Sequence, residues 1–349
     1  MYKGRRVLVT GGLGFIGSNV TVRLALEGAH VTVVDSMVAG CGANRFNIEP
    51  VRDLVSVVVA DIAETDAFRD ELAGAEIIFN LAGEISHTAS MDDPERDLRL
   101  NALSNLLFLN ACRFACPGVR IVYASTRQVY GKPAYLPVDE RHPIEPIDFN
   151  GVNKYAASQY HMLLSRRREI TAVILRLSNV YGPRMALNIP QQGFLATYFR
   201  NALTGEPLLV YGDGSQVRDP VYVDDAVNAF LLAGAAPPSC PVFNIGGAEQ
   251  LSLQTIASEI ARLSGGLSVR NAPFPEALRS IDIGSYWSDT TLARTHLGWT
   301  PMTLFRDGIS RTLEYYRTHC DHYPRFAAAP ETPGSATGGR TALSRTGVR

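Results

Sequence analysis

A glycine-rich turn between a short apolar run and a helical segment constrains the fold of this chain more than any other feature. Val7 to Thr10 is β-branched and apolar without polar alternation, as expected of a strand buried on both faces. Gly11, Gly14 and Gly17 follow at once, and Phe15 to Leu26 has apolar residues at helical spacing. A strand, a tight turn and a helix in this order predict the first unit of a doubly wound parallel sheet.

Each glycine of this turn has a mechanical reason that points to a dinucleotide. One permits the tight turn, one lets the backbone approach a pyrophosphate, and one lets the helix pack close to the strand. A second predicted strand, His30 to Val34, ends at Asp35, which lies 18 positions after Gly17. A carboxylate there accepts hydrogen bonds from both adenosine ribose hydroxyls and repels a 2′-phosphate, which favours NAD over NADP. A purely structural glycine turn is the alternative.

Strands and helices continue to alternate along the first half of the chain, which predicts right-handed crossovers and a parallel sheet. Apolar runs predict further strands at Leu54 to Val59, Glu76 to Leu81, Val119 to Ala124 and Thr171 to Leu177. Helical spacing predicts one long helix over Asp97 to Arg113 and another over about Asn150 to Arg168. The predicted fold class is α/β, a Rossmann doubly wound parallel sheet with a smaller, interleaved α/β substrate lobe.

The chain divides into two predicted lobes and a tail. Residues 1–178 form the predicted NAD-binding Rossmann domain, with a return at about 220–247 because Val242 to Ile245 is a further strand. Residues 179–219 and 248–320 form the predicted substrate lobe. Residues 326–349 are mostly Ala, Pro, Gly, Ser and Thr, which predicts a disordered tail.

Composition excludes several classes of partner. The net charge of −1 over 349 residues argues against nucleic acid or an anionic membrane as the main partner. No apolar stretch reaches membrane-spanning length. The five cysteines are scattered and form neither a zinc pattern nor a disulfide framework, so we expect no metal and a reducing, cytoplasmic location.

Ligands bind beyond the carboxyl ends of strands in such a sheet, so the segments after each strand are the candidate site. Ser125 and Thr126 place hydroxyls at the expected position of the reacting carbon, and Asn150 and Lys154 lie one helical turn apart on one face. The candidate cofactor contacts are Gly11, Gly14, Phe15, Ile16, Gly17, Asp35, Ser36, Asp61, Ile62, Leu81, Ala82, Gly83 and Lys154.

Several motifs in a fixed order resemble the extended short-chain dehydrogenase/reductase family, in particular its sugar-nucleotide epimerases and dehydratases. The resemblance covers roughly Arg5 to Tyr316. The motifs are Thr10-Gly-Gly-Leu-Gly-Phe-Ile-Gly17, Asn80-Leu-Ala82, Ser90-Met-Asp-Asp-Pro94 with Asn101, Tyr123-Ala-Ser-Thr126 with Val129-Tyr-Gly131, Arg176-Leu-Ser-Asn179-Val-Tyr-Gly-Pro-Arg184, Arg218-Asp-Pro-Val-Tyr222-Val-Asp-Asp225 and Leu297-Gly-Trp-Thr-Pro301.

The resemblance implies an enzyme that binds NAD and a nucleoside-diphosphate sugar, and that forms a homodimer through two helices of each subunit. By position, Thr126 matches the Ser/Thr that hydrogen-bonds the sugar hydroxyl being oxidised. Lys154 matches the lysine that binds the nicotinamide ribose and lowers the pKa of the catalytic base. Both are candidate catalytic residues, together with Asn150.

The same resemblance implies a set of substrate contacts. Asn179 is expected to contact the diphosphate or the sugar, and Glu84 and Ser125 are further candidates. Arg218 and Arg279 are expected to grip the diphosphate, since guanidinium groups are permanently charged and carry several donors. A surface ion pair is the alternative for either arginine. The acidic motif around Arg218 favours the functional role there, whereas both interpretations stay open for Arg279.

The chain departs from the family at the catalytic Tyr-x-x-x-Lys motif. Aligning Tyr155 with the tyrosine puts Gln159 in place of the lysine, whereas aligning Lys154 with the lysine puts Asn150 in place of the tyrosine. The flanking sequence and the distance from Lys154 to Asn179 favour the second register. An amide has no accessible pKa for general-base work, so Asn150 can orient a hydroxyl but cannot ionise.

Three functions remain compatible with this departure. The first is an epimerase or related isomerase that uses transient oxidation with a substitute base, for which Glu84, His87 and Tyr130 are candidates. The second is a dehydratase or mutase that uses NAD differently, although Arg127-Gln128 stands where 4,6-dehydratases carry an acidic pair. The third is a non-catalytic protein that binds NAD and a sugar nucleotide. The retained Thr126 and Lys154 favour the first.

Overall fold

The computed structural model describes residues 1–189, 193–235 and 240–323. The tail predicted at 326–349 lies outside these residues. Within the described ranges, none of the helices combines the length and the apolar character that crossing a membrane requires.

Seven parallel strands form the central sheet. In chain order the strands of the described residues are β1 Arg6–Thr10, β2 His30–Val34, β3 Val55–Val58, β4 Ile77–Asn80, β5 Arg120–Thr126, β6 Thr171–Leu177, β7 Val180–Tyr181, β8 Leu208–Tyr211, β9 Val217–Arg218, β10 Val221–Tyr222, β11 Val242–Ile245, β12 Leu251–Ser252 and β13 Val269–Ala272. The order in the sheet is β3-β2-β1-β4-β5-β6-β11, and every neighbouring pair is parallel. This arrangement confirms the predicted doubly wound Rossmann sheet.

Helices cover both faces of this sheet. In chain order the α-helices of the described residues, including those outside the central sheet, are α1 Phe15–Leu26, α2 Arg69–Gly74, α3 His87–Asp92, α4 Pro94–Leu98, α5 Ser104–Ala115, α6 Phe149–Arg166, α7 Phe194–Thr204, α8 Val223–Ala235, α9 Leu253–Leu263, α10 Glu276–Arg279 and α11 Phe305–His319. Successive residues of β1 show why the apolar runs lack polar alternation. Val7 and Val9 pack into the core that holds residues of α1 and α8, whereas Leu8 packs into the core that holds residues of α2, α5 and α6.

The helix predicted over Asp97 to Arg113 is present, but its bounds differ and it contains a π-helical turn. The segment starts earlier, at Pro94, because the Asp93 carboxylate caps it by accepting the Arg96 N–H at 3.0 Å. A π-helical turn at Arg99–Leu103 then separates α4 from α5. Such turns insert an extra residue into the helical repeat and are frequent at functional sites. Here the turn contains Asn101, whose Oδ1 accepts the Glu84 N–H at 3.1 Å.

Shorter strands lie in the second half of the chain. β7 pairs with β10, β9 with β12, and β8 with β13, each as a two-stranded sheet. The predicted strand Val242 to Ile245 is β11, which returns to the edge of the central sheet beside β6. The boundaries proposed between the two lobes remain a prediction.

Candidate active site

A cleft of about 430 Å³ opens beyond the carboxyl ends of the central strands. It lies where the strand order reverses between β1 and β4, the position at which doubly wound sheets bind ligands. All of the candidate cofactor contacts line it, namely Gly11, Gly14, Phe15, Ile16, Gly17, Asp35, Ser36, Asp61, Ile62, Leu81, Ala82, Gly83 and Lys154. Ser125, Thr126, Asn150, Asn179 and His87 line it as well. Residues from separate sequence motifs therefore converge on this cleft.

The glycine turn is packed so closely that Gly11 and Gly17 have no room for a Cβ atom. A Cβ on Gly17 would overlap the carbonyl oxygen of Gly11, and a Cβ on Gly11 would lie 2.9 Å from the backbone of Leu81 and Ala82. Helix α1 begins after Gly14, which offers no side-chain cap, so the first turn presents its N–H groups to the cleft. Free N–H groups at a helix N-terminus favour a phosphate, so the turn fits the diphosphate of NAD.

Asp35 directly follows β2 and lines the cleft. Its two carboxylate oxygens accept the N–H groups of Leu13 at 3.0 Å and Met37 at 2.9 Å. Burial raises the pKa of this carboxyl, although the two backbone hydrogen bonds act in the opposite direction. These bonds fix the orientation of the carboxylate at the cleft.

Lys154 is buried on the wall of the cleft, with 4% of the residue exposed. Burial lowers the pKa of its amine to about 8, while the Asp97 carboxylate acts in the opposite direction. A Cβ on Gly83 would come within 2.8 Å of the Lys154 Nζ atom. The amine therefore needs a glycine at that position, where Gly83 also has a φ of +148°.

The Asn150 amide is held by acceptors on one side. Its Nδ2 donates to the backbone oxygen of Glu84 at 2.9 Å and to Oδ2 of Asp97 at 3.0 Å. Because both amide hydrogens are used, Oδ1 is the part of this side chain left to interact with a ligand, and it is an acceptor only. Asp97 also accepts from the amides of Asn101 at 3.0 Å and Asn153 at 2.8 Å. This buried carboxylate thus orients the Asn150 amide.

Asp148 begins helix α6, two residues before Asn150. Its Oδ1 accepts the Gly151 N–H at 2.6 Å as an N-cap, and its Oδ2 accepts from the Gln128 amide at 3.1 Å. The same Oδ2 lies 3.2 Å from Nδ1 of His87. Burial alone would raise the pKa of Asp148, but the nearby His87 ring and the hydrogen bonds from Gly151 and Gln128 hold that pKa below its usual value.

Hydroxyl and amide groups lie at the cleft as well. Thr126 is the last residue of β5, and its Oγ1 accepts the Gln128 N–H at 3.2 Å. The Oγ atoms of Ser125 and Ser158 are 3.2 Å apart. Within the described ranges, Oδ1 of Asn179 is buried without a hydrogen-bond partner, as expected of an acceptor that a ligand would engage.

Three candidate substrate contacts lie outside the lining of the cleft. The Glu84 carboxylate is paired with Arg96 at 2.8 Å. Arg218 is buried, donates to the Gly284 backbone oxygen at 2.6 Å, and has a pKa that burial and Arg127 lower to about 9. The Arg279 side chain is 62% exposed and pairs with Glu276 at 2.7 Å, so this structure favours the surface ion pair that was its alternative.

Sequence reasoning missed two buried carboxylates, Asp97 and Asp148. A local signal exists for Asp148, because an Asp directly before a helical segment is a typical N-cap. For Asp97, the spacing of four residues predicts only a contact with Asn101 on the same helix face. Its bonds to Asn150 and Asn153 depend on the packing of two distant segments.

Comparison with known proteins shows the family to which this chain belongs. The family described as NAD dependent epimerase/dehydratase matches residues 7–246. A UDP-glucose 4-epimerase of Mycolicibacterium smegmatis is 33% identical over 320 residues, covering 89% of this chain and 98% of that protein.

Two solved structures are also similar over most of their length. A UDP-glucose 4-epimerase of Thermotoga maritima with UDP-glucose has a TM-score of 0.81 and 30% identity, covering 90% of this chain and 99% of that chain. A dTDP-glucose 4,6-dehydratase of Streptomyces venezuelae with NAD bound has a TM-score of 0.82 and 28% identity, covering 92% and 100%. The chain is an enzyme of the NAD dependent epimerase/dehydratase family.

Proposed function

We propose that this enzyme is an NAD-dependent epimerase, or a related isomerase, that acts on a nucleoside-diphosphate sugar through transient oxidation with a non-standard acid/base. The observation that carries this proposal is the convergence of Thr126, Asn150 and Lys154 on the cleft that also contains the glycine turn. The names of the similar epimerases support the same class of substrate.

The residues of the chain fit NAD in one orientation. The Gly11 to Gly17 turn would hold the diphosphate, Asp35 the adenosine ribose, and Lys154 the nicotinamide ribose. When bound, NAD supplies an acceptor and donor of hydride. The Thr126 hydroxyl and the Asn150 Oδ1 would then orient the sugar hydroxyl, the first as donor or acceptor and the second as acceptor.

Elimination of water is less well supported than epimerisation. Arg127 and Gln128 occupy the positions that an acid pair takes in 4,6-dehydratases, and they are hydrogen-bonded to each other at 3.1 Å. Gln128 also donates to Asp148. Neither side chain is an acid or base near neutral pH, so we propose epimerisation first.

A panel of nucleotide sugars tests the proposal. Purified enzyme is incubated with substrates deuterated at each candidate carbon, and stereochemistry and label are followed by NMR. Inversion with retention of deuterium at the inverted carbon supports transient oxidation there. Loss of the label to solvent, or loss of water from the product, favours the dehydratase or mutase alternative, and tight binding without turnover favours the binding-protein alternative.

A threonine pair provides the matched control. Thr126→Val keeps the side-chain shape and removes the hydroxyl, so kcat should fall about 10²-fold or more if this hydroxyl stabilises the transition state. Thr204→Val alters an exposed residue at the end of α7 and should leave kcat unchanged. Equal activity of the two variants would contradict the role of Thr126.

We further propose a homodimer through helices α5 and α6. Exposed apolar residues recur at helical spacing on each of them, Leu107 and Phe114 on α5 and Val152 and Leu163 on α6. A second copy of the chain would cover this surface. Light scattering should give twice the mass of the chain, and a monomer at micromolar concentration would contradict the proposal.

The predicted cytoplasmic location rests on the scattered cysteines and remains a prediction.

A further inference from the structure

We propose that His87, oriented by Asp148, is the acid/base group that takes over the proton transfer of the missing tyrosine. This inference rests on the proposed epimerase function and deepens it. It assigns a catalytic role to His87 and a positioning role to Asp148.

Two of the three candidate bases are already engaged elsewhere. The Glu84 carboxylate pairs with Arg96 through contacts of 2.8 and 2.9 Å. Tyr130 is fully buried, donates to Asn244 Oδ1 at 2.7 Å and accepts from Arg176 at 2.7 Å. Neither of them lines the cleft, whereas His87 does.

The His87 ring has one buried and one open edge. Nδ1 is buried without a formed hydrogen bond and lies 3.2 Å from Oδ2 of Asp148, a charge contact, while 34% of the side chain is exposed. The Asp148 side chain is completely buried. A carboxylate against Nδ1 favours the tautomer with the proton on that nitrogen, which leaves Nε2 free to accept a proton from a ligand in the cleft.

Asp148, at the N-terminus of α6, contacts His87 and also caps the helix that carries Asn150 and Lys154. Asp148 caps helix α6 through the Gly151 N–H, and that helix presents Asn150 and Lys154 to the cleft. Helix α3 begins at His87, with the Ser86 hydroxyl as its N-cap acceptor for the Ala89 N–H at 3.0 Å. The His87 ring is therefore positioned by two helix N-termini that meet at the cleft.

In the proposed step the proton moves from the sugar hydroxyl to His87 and later returns to the sugar. The O–H bond of the sugar hydroxyl breaks and an N–H bond forms at Nε2 of His87, as the C–H electron pair leaves for the oxidised nicotinamide. The Asp148 carboxylate stabilises the imidazolium and remains ionised. In the return step the proton moves from Nε2 back to the oxygen, so the ring ends in its starting state.

Nitrogen NMR provides a test that does not depend on turnover. In ¹⁵N-histidine-labelled enzyme, the signals of His87 are assigned as those that vanish in His87→Gln. We expect the neutral ring to carry its proton at Nδ1, and Asp148→Asn, which keeps an N-cap oxygen, to shift the ring toward the Nε2–H tautomer. A neutral ring that is Nε2–H in the unaltered enzyme would overturn the proposal.

Chemical rescue tests the catalytic role. His87→Ala should lower kcat about 10²- to 10⁴-fold, leave the affinity for NAD within about twofold, and regain activity as imidazole is added. His30→Ala, at an exposed position at the start of β2, is the matched control and should show neither loss nor rescue. Unchanged kcat in His87→Ala would overturn the inference. Loss of kcat without imidazole rescue would also overturn it.

These outcomes separate the inference from the function on which it rests. If the unaltered enzyme inverts no sugar nucleotide in the panel, the proposed function fails before His87 is tested. If it inverts one and His87→Ala does so equally well, only the inference fails. The tautomer measurement reads the His87–Asp148 contact in either case.

Discussion

Replacing Lys154 by methionine should make the enzyme more stable while it removes turnover. The amine is buried, and its pKa falls from the ordinary 10.5 to about 8. Since each pKa unit corresponds to about 1.36 kcal/mol, keeping this charge in the folded protein costs roughly 3 kcal/mol at pH 7. Methionine retains the length of the side chain and has no charge to bury.

The size of this gain should depend on pH in a defined direction. Below pH 8 both the folded and the unfolded chain carry the charge, so the full penalty applies to the unaltered enzyme. Between pH 8 and 10.5 the unfolded chain binds a proton that the folded chain has lost. The stability of the unaltered enzyme relative to Lys154→Met therefore rises over this window, and the advantage of the variant disappears above it.

Urea unfolding of the NAD-free proteins at a series of pH values measures the effect. Lys132→Met is the matched control, because Lys132 is exposed and its replacement should change the free energy of unfolding by less than about 0.5 kcal/mol at every pH. A Lys154→Met variant that is less stable at pH 7, or whose advantage does not change between pH 8 and 10, would refute the argument. Full turnover in this variant would refute the placement of Lys154 beside the nicotinamide.

Three further substitutions test other parts of the site. Gly17→Ala would force a methyl group into the Gly11 carbonyl, so calorimetry should show NAD affinity reduced by at least about tenfold. Asp35→Ala should weaken NAD binding by roughly 1.5–3 kcal/mol and raise the ratio of NADP to NAD affinity, and an unchanged ratio would contradict its ribose role. Asp97→Asn would turn an amide donor toward the amides of Asn101, Asn150 or Asn153, and should lower the free energy of unfolding by about 1–3 kcal/mol.

The fold could be predicted from the sequence because its main signals are local. Buried parallel strands give short apolar runs, and the predicted bounds of α1, β2, β6 and β11 coincide with those of the structure. The signals for the glycine turn and for Asp35 are local as well, because both lie in one strand–helix–strand unit of about 30 residues. The family resemblance is confirmed by the comparisons.

Features that depend on contacts between distant segments escaped prediction. The His87–Asp148 contact joins residues 61 positions apart in the chain, and the bond between Asn150 and Asp97 spans 53. The apolar spacing from position 97 onward continues through the π-helical turn. Periodicity alone therefore does not reveal this turn, which contains Asn101. Arg279 lacks a local signal that distinguishes a ligand contact from a surface ion pair.

The hydrogen bonds of Asn150 also limit how this enzyme can be redesigned. Both of its amide hydrogens satisfy acceptors, the Asp97 carboxylate and the Glu84 backbone oxygen. A tyrosine introduced at this position alone brings one hydroxyl hydrogen for two acceptors and needs the volume of a ring in a site that is almost fully buried. Positions 97 and 150 therefore form one unit for protein engineering, and recovering tyrosine-based chemistry requires changing both together.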